Sequence, residues 1–309
     1  MFRYLVRRLL QMILVFLGTT FIVFALMFAG GEGDPIQNLA GEKPVSASQR
    51  AQLIEKFHLN DGFFERYWYY LKDLVTGNLG ESLTGRDIST MILDAFPATA
   101  KLATIAILVT IVFGVTAGVI AGIRRGSIFD NSTLVLTLII IGIPTVVLAP
   151  LAQLLFGVKF PIFPATANNP PTWYELILPG IVLGLLSVAT AMRLTRASVA
   201  ENLRADFVRT AKSKGMPGRR VIGVHVLRNS LIPIVTFIGV ELGSLMGGAI
   251  ITERVFNISG IGNLLYKNLN LGDAPVVIGT VSVLVIVFLI ANLIVDLLYA
   301  VLDPRIRYE

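Results

Sequence analysis

The chain has 309 residues, 54% of them hydrophobic and 15% charged, with a formal net charge of +6. So apolar and so sparsely charged a composition excludes an ordinary soluble globular protein and a disordered one, and points to a protein embedded in a bilayer. There is no cysteine, which excludes a disulfide framework and a thiolate metal site.

About 20 consecutive apolar residues cross the hydrocarbon core as a helix. The first such run, Leu9–Phe28, follows Arg3, Arg7 and Arg8. A basic start followed by an apolar stretch also describes a secretory signal. This stretch is longer than a signal needs, however, and no small-x-small cleavage site precedes Gly30. Residues 1–30 are therefore expected to be the N-terminus and a retained first span. Residues 31–98 form the one sizeable segment outside the spans. Within it, Ser46–His58 sets Leu53, Ile54 and Phe57 at helical spacing. Phe63–Leu74 carries six aromatic residues: Phe63, Phe64, Tyr67, Trp68, Tyr69 and Tyr70. Such a helix is expected at the outer interface, where amphipathic rings settle, as a membrane anchor; a docking surface for an external partner is the alternative.

Five further apolar runs follow: Leu102–Ile123, Leu134–Phe156, Leu176–Met192, Leu231–Ile251 and Val276–Leu302. They are continuous rather than alternating, so a β-barrel is not expected. The expected fold is all-α, with six transmembrane helices and a core transmembrane domain over residues 99–302. Pro144 and Pro150 interrupt the third run, and a proline frees backbone carbonyls and kinks a helix. This makes the third span a candidate hinge. Glu241 lies in the fifth run among Gly239, Gly243, Ser244, Gly247 and Gly248. An ionisable group in hydrocarbon faces a bundle interior or a water-filled path. Two readings stay open for it: a hydrogen bond across a tight helix seam, or a place on a translocation path with Ser244, Met246 and Pro144. Asp296, in the sixth run, is expected to make a structural pair.

Orientation follows from the basic residues of the loops. With the N-terminus inside, the cytoplasmic pieces are residues 1–8, 123–131, 193–230 and 303–309, which hold 16 basic and 5 acidic residues. The rest of the chain holds 10 basic and 15 acidic residues. The basic pI reflects this topology and is no signal for nucleic acid. The loop 193–230 is the most basic piece. Between Arg193 and Arg228 it holds nine of the chain's 26 Lys and Arg residues. Leu203, Phe207 and Ala211 fall at i, i+4 and i+8, so they are expected on one helix face. Gly215 then stops the helix, Pro217 prevents its continuation, and a second helix starts near Gly218 and runs to Ser230.

No GxxxxGK[ST], HExxH or GxSxG motif occurs, and the two histidines, His58 and His225, fall on opposite sides of the membrane. A catalytic role is not expected, and nucleotide hydrolysis is expected from another subunit.

RTAKSKGMPGRRVIGVHVLRNSLIP, Arg209–Pro233, resembles the EAA loop of ABC importer permeases, in the form found in the dipeptide/oligopeptide branch. GGAIITERVFNISGIG, Gly247–Gly262, and NLIVDLLYAVLDPRIR, Asn292–Arg307, resemble two further segments of that branch. RYLVRRLLQMILVFLGTTFIVF and GNLGES, Gly77–Ser82, are similar to the first permease of its pair. Arg209 and Thr210 replace the general Glu and Ala, as in the peptide branch, and Ser259 replaces a proline. The resemblance implies a type I importer permease for di- or oligopeptides, with Arg209, Thr210, Ala211, Lys214, Gly215 and Arg219 coupling to an ATPase. It further implies a second homologous permease, two cytoplasmic ATPases holding ATP and Mg, and an extracytoplasmic substrate-binding protein. The chain itself is expected to carry no cofactor or metal, with surrounding lipid as its other partner. A nickel-chelate or heme permease of the same branch, and a channel or membrane scaffold, are the alternatives.

Overall fold

The structure is a computed structural model that describes residues 2–29, 51, 54–55 and 60–302. The expected helix around Ser46–His58, apart from residues 51 and 54–55, and the tail 303–309 lie outside the described residues. Among those described there is no strand, only an isolated bridge between Glu81 and Asp87. In chain order the helices used below are α1 (Phe2–Ala29), α2 (Phe63–Val75), α3 (Ile88–Ile123), α4 (Ile128–Gly142), α5 (Thr145–Lys159), α6 (Ile177–Asn202), α7 (Asp206–Ser213), α8 (Gly218–Ser230), α9 (Ile232–Gly248) and α10 (Ala274–Leu302).

Among the described residues, four helices alone are long and apolar enough to span: Val6–Phe28, Ile88–Ile123, Ile177–Asn202 and Ala274–Leu297. The count reaches six if two bent pairs are each one span. The expected third span is one of these pairs, and α4 and α5 meet at 100° rather than at a modest kink. Ile143 stands before a proline and is forced extended (φ −98°, ψ 116°), so α4 ends there and Pro144 starts α5. The fifth span likewise bends by 44° between Gly218–Ser230 and Ile232–Leu245. Pro233, in the first turn of α9, is tolerated there because it has no N–H to bond. The second helix begins at Ile88, well before the apolar run at Leu102, because Ser89–Pro97 continues the helix outside the strongly apolar stretch.

The chain divides into two compact units, residues 1–99 with 259–289 and residues 100–258 with 290–309. In the first, α2 lies against α1. Phe63, Tyr67 and Tyr70, spaced i, i+4 and i+7, meet Phe21 and Phe24 at ring distances of 5.3–5.9 Å, and Phe28 packs on Phe24 at 4.6 Å. The Tyr67 hydroxyl donates to the Leu17 carbonyl at 3.0 Å and lies 2.9 Å from the Thr20 hydroxyl. Trp68 stays exposed, as does Phe64, although the Phe64 ring stacks on Phe21 at 6.4 Å. The aromatic helix thus clasps the first span through several of its rings while Trp68 stays exposed. Burial pushes the Tyr70 phenol up to about 12, against the effect of its hydrogen bond with Ser282. The core of this unit gathers Ile88, Ile92 and Ala95 with Ile261 and Val276.

In the second unit, α3 and α6 approach closely through glycines four residues apart. A Cβ on Gly118 would stand 2.6 Å from the Met192 carbonyl oxygen, and one on Gly114 would stand 2.9 Å from that of Val188. Small residues are what permit such backbone contact between membrane helices. At the end of this pair, Arg196 grips Asp130 through Nε and Nη2, the latter at 2.8 Å, and the Gly126 N–H donates to the same carboxylate at 2.8 Å. Asp130 is completely buried. Elsewhere the Gln153 amide donates to the carbonyls of Ala165 (2.7 Å) and Val255 (2.9 Å), which fixes the bent α5.

Candidate functional site

The basic loop forms a short foot. α7 has eight residues, two turns, and a helix so short is not stable by itself in water. It is held from beneath. Val208 and Ala211 are buried with Val199 of α6 and with Val221 and Val226 of α8. Of the expected face Leu203–Phe207–Ala211, Leu203 and Ala211 meet this cluster, and Phe207 is corrected by the structure. The chain turns at Leu203 and Ala205 is extended (ψ 152°), so α7 starts a new helical phase. Val208 therefore takes the inward position, and Phe207 is exposed.

The end of α7 is closed by its backbone. The Gly215 N–H donates to the Lys212 carbonyl at 2.9 Å and the Met216 N–H to that of Ala211 at 3.2 Å. This is a Schellman closure, and it puts Gly215 at φ +74°. Met216 folds back onto the same apolar cluster as Ala211. Asp206 in the first turn and Lys212 in the last both suit the helix dipole. Pro217, extended at ψ 141°, then opens α8.

Of the expected coupling residues, Arg209, Thr210, Lys214 and Arg219 point outwards, whereas Ala211 is buried and anchors the foot. Arg209 lies 3.5 Å from Asp206, but both side chains are solvated, so the pair contributes little and leaves the guanidinium available. Two reciprocal hydrogen bonds brace the base of the foot: the Ser198 hydroxyl donates to the Ser230 carbonyl (3.1 Å) and the Ser230 hydroxyl to that of Ser198 (3.3 Å). They tie α6 to α8 where both leave the foot. Between them and the foot, Val221–Val226 is wound wider than an α-helix. Such single-turn expansions mark functional or adaptable stretches.

The path candidates are more scattered. Glu241 accepts a hydrogen bond from Ser187 of α6, so the seam reading of Glu241 is realised. Gly239 on the same helix meets Val295 so closely that a Cβ has no room. Ser244 and Pro144 are exposed, and the Met246 side chain lies outside the described residues. Sequence reasoning missed Ser187, Ser198, Ser230 and the Asp130–Arg196 pair. Their partners are 32 to 66 residues apart, and no local pattern links them.

Several apolar helices, two of them joined by an exposed basic foot, define an all-α multi-pass membrane protein. The family of the binding-protein-dependent transport system inner membrane component matches residues 114–308, and the N-terminal region of such components matches residues 1–103. The chain belongs to this family. The dipeptide transport system permease protein DppB of Alkalihalophilus pseudofirmus is 36% identical, and the di/tripeptide transport system permease protein DppB of Pseudomonas aeruginosa 35%. The glutathione transport system permease protein GsiC of Escherichia coli is 33% identical, and all three alignments cover 100% of both chains. Membership agrees with the expectation of a permease subunit of an ABC importer rather than an enzyme.

Proposed function

We propose that the chain is one of two homologous permeases in an ATP-driven importer of di- and oligopeptides. The full-length likeness to relatives named for dipeptide, di/tripeptide and glutathione transport supports the cargo class. Its partners are a second permease, two cytoplasmic ATPases that hold ATP and Mg, and an extracytoplasmic binding protein. Both termini and the foot lie in the cytoplasm, as the distribution of basic residues favours.

The observation that carries this reading is the attachment of the foot. Val208 and Ala211 fix α7 to α6 and α8, and the Ser198–Ser230 pair fixes those two helices to each other. A push on Arg209, Thr210 or Lys214 is then passed along α6 to Ser187 and Glu241 rather than absorbed in a loose loop. Closure of the ATPases moves the foot; α6 and α9 move with it and alternate the access of a central path. The test is dipeptide uptake by the assembled importer in proteoliposomes. The double substitution Arg209→Glu, Lys214→Glu should abolish uptake while this subunit still inserts in the membrane. Undiminished uptake would remove the foot from the mechanism.

A further inference from the structure

Within the unit formed by residues 1–99 and 259–289 lies a cavity of about 380 Å³. Two of its walls fix its depth. Phe24 and Phe28 belong to the last turns of an apolar span that ends at Phe28, and Pro275 and Ile278 belong to the first turns of one that starts at Ala274. The end of one span and the start of another lie at the headgroup level of a bilayer, where aromatic residues also gather. Tyr69 and Tyr70 line the same space.

Arg66 forms part of the wall. Its guanidinium stands 4.1 Å over the Phe28 ring, and Nε and Nη2 are buried with no hydrogen-bond acceptor among the described residues. Buried donors without acceptors are costly, and more so when they belong to a charged group. Burial lowers the Arg66 pKa, and the nearby Asp61 offsets this only in part. The Nε–Nη2 edge is one with which a guanidinium grips an oxyanion through two parallel bonds. The cavity is lined as well by Asp73, Glu81 and Asp87. Two hydrogen bonds from Thr90 hold the Asp87 carboxyl below its usual range, so it stays ionised. A purely anionic ligand meets three carboxylates here. A purely cationic one leaves the Arg66 donors bare. A ligand with both charges satisfies both sets.

We propose that this cavity holds the headgroup of a phosphoethanolamine lipid. Its phosphate oxygens accept from Arg66 once the guanidinium edge turns towards the cavity, and its ammonium donates to the carboxylate of Asp73, which lies two turns along the same helix, with Glu81 and Asp87 lining the same cavity. The depth of the site favours a lipid over a free solute. The carboxylates favour a primary ammonium, which has three N–H donors, over choline, which has none.

The test uses the assembled importer in nanodiscs of equal phosphatidylethanolamine, phosphatidylcholine and phosphatidylglycerol, followed by mass spectrometry of the lipids it retains. A charge-assisted contact is worth about 1.5–3 kcal/mol, so ethanolamine lipid should be retained about tenfold above its share. Arg66→Gln and Asp73→Asn should both abolish that enrichment, and Lys72→Gln, exposed on the same helix, should not. If Arg66→Gln fails to assemble, Asp73→Asn decides. Equal retention of the other two lipids by the unaltered chain, or unchanged enrichment after these substitutions, would overturn the proposal. So would displacement of the lipid by soluble O-phosphoethanolamine, which would make the occupant a free solute.

Discussion

Replacing Gly118 by alanine tests whether the foot is mounted on a rigid helix pair. The added Cβ would stand 2.6 Å from the Met192 carbonyl oxygen, 2.6 Å from Thr195 Cβ and 3.2 Å from Met192 Cα. Ordinary carbon contacts need about 3.5–4.0 Å, so α3 and α6 must part locally by roughly 1 Å. Nothing nearby yields easily: the close atoms are backbone or Cβ, and Met192 and Thr195 are buried. Overpacking of this kind costs about 1–3 kcal/mol, roughly 5- to 150-fold in the folding equilibrium. Alanine also gains about 1 kcal/mol of helix propensity over glycine, which would mask part of the loss. Gly18→Ala, in the interior of α1 with nothing within 4 Å of the new Cβ, carries the same gain without the clash. The difference between the two variants isolates the contact. At about 2–4 °C per kcal/mol, Gly118→Ala should unfold several degrees below Gly18→Ala in a thermal melt of the detergent-solubilised importer. Equal midpoints would refute the claim that α3 and α6 are in backbone contact.

Gly215→Val should leave insertion intact and lower the ratio of peptide imported to ATP hydrolysed. The new side chain has open space, so the cost is confined to the left-handed backbone, about 1–2 kcal/mol for a residue with a Cβ. A normal ratio in proteoliposomes would show that Gly215 does not set the shape of the foot. Asp130→Ala leaves the Arg196 guanidinium without its carboxylate and should destabilise by about 3 kcal/mol, read as a lower melting midpoint. The double variant Asp130→Ala, Arg196→Met should recover part of that loss; equal loss in both would deny the pair its structural role. Glu175 is held below the usual carboxylate range, first by the Thr172 N–H, then by the Thr172 hydroxyl and Asn168. A carboxyl whose folded pKa is lowered stabilises above its unfolded pKa, and that stabilisation is lost as pH falls through the folded value. With Trp68 replaced by Phe, the emission of the neighbouring Trp173 should titrate over that acid window, and Glu175→Gln should abolish the titration.

The spans were legible where apolar composition alone decides, as in α1, α6 and α10. The break at Pro144 was legible, but its 100° angle was not, because the direction of α5 is set by contacts such as those of Gln153 with Ala165 and Val255. Gly215 was legible for a local reason, since a helix end after lysines and before proline calls for a left-handed residue. The inward face of α7 was legible at Leu203 and Ala211 but not at Phe207, whose place Val208 takes, because the spacing was carried across a turn at Leu203 that interrupts the helix. Glu241 was recognisable as an unusual group in an apolar run. That Ser187 meets it depends on how α6 and α9 are juxtaposed, and neither helix encodes that alone.

The chain has no cysteine, so a single introduced thiol reports one position. Ser213→Cys places it on the exposed surface of α7 with little change in shape. In membranes that hold the whole importer, a short bifunctional reagent should join this thiol to an ATPase subunit, with a yield that changes when ATP is added. No capture of any ATPase, while peptide enters at the full rate, would contradict a foot driven by a nucleotide-binding partner.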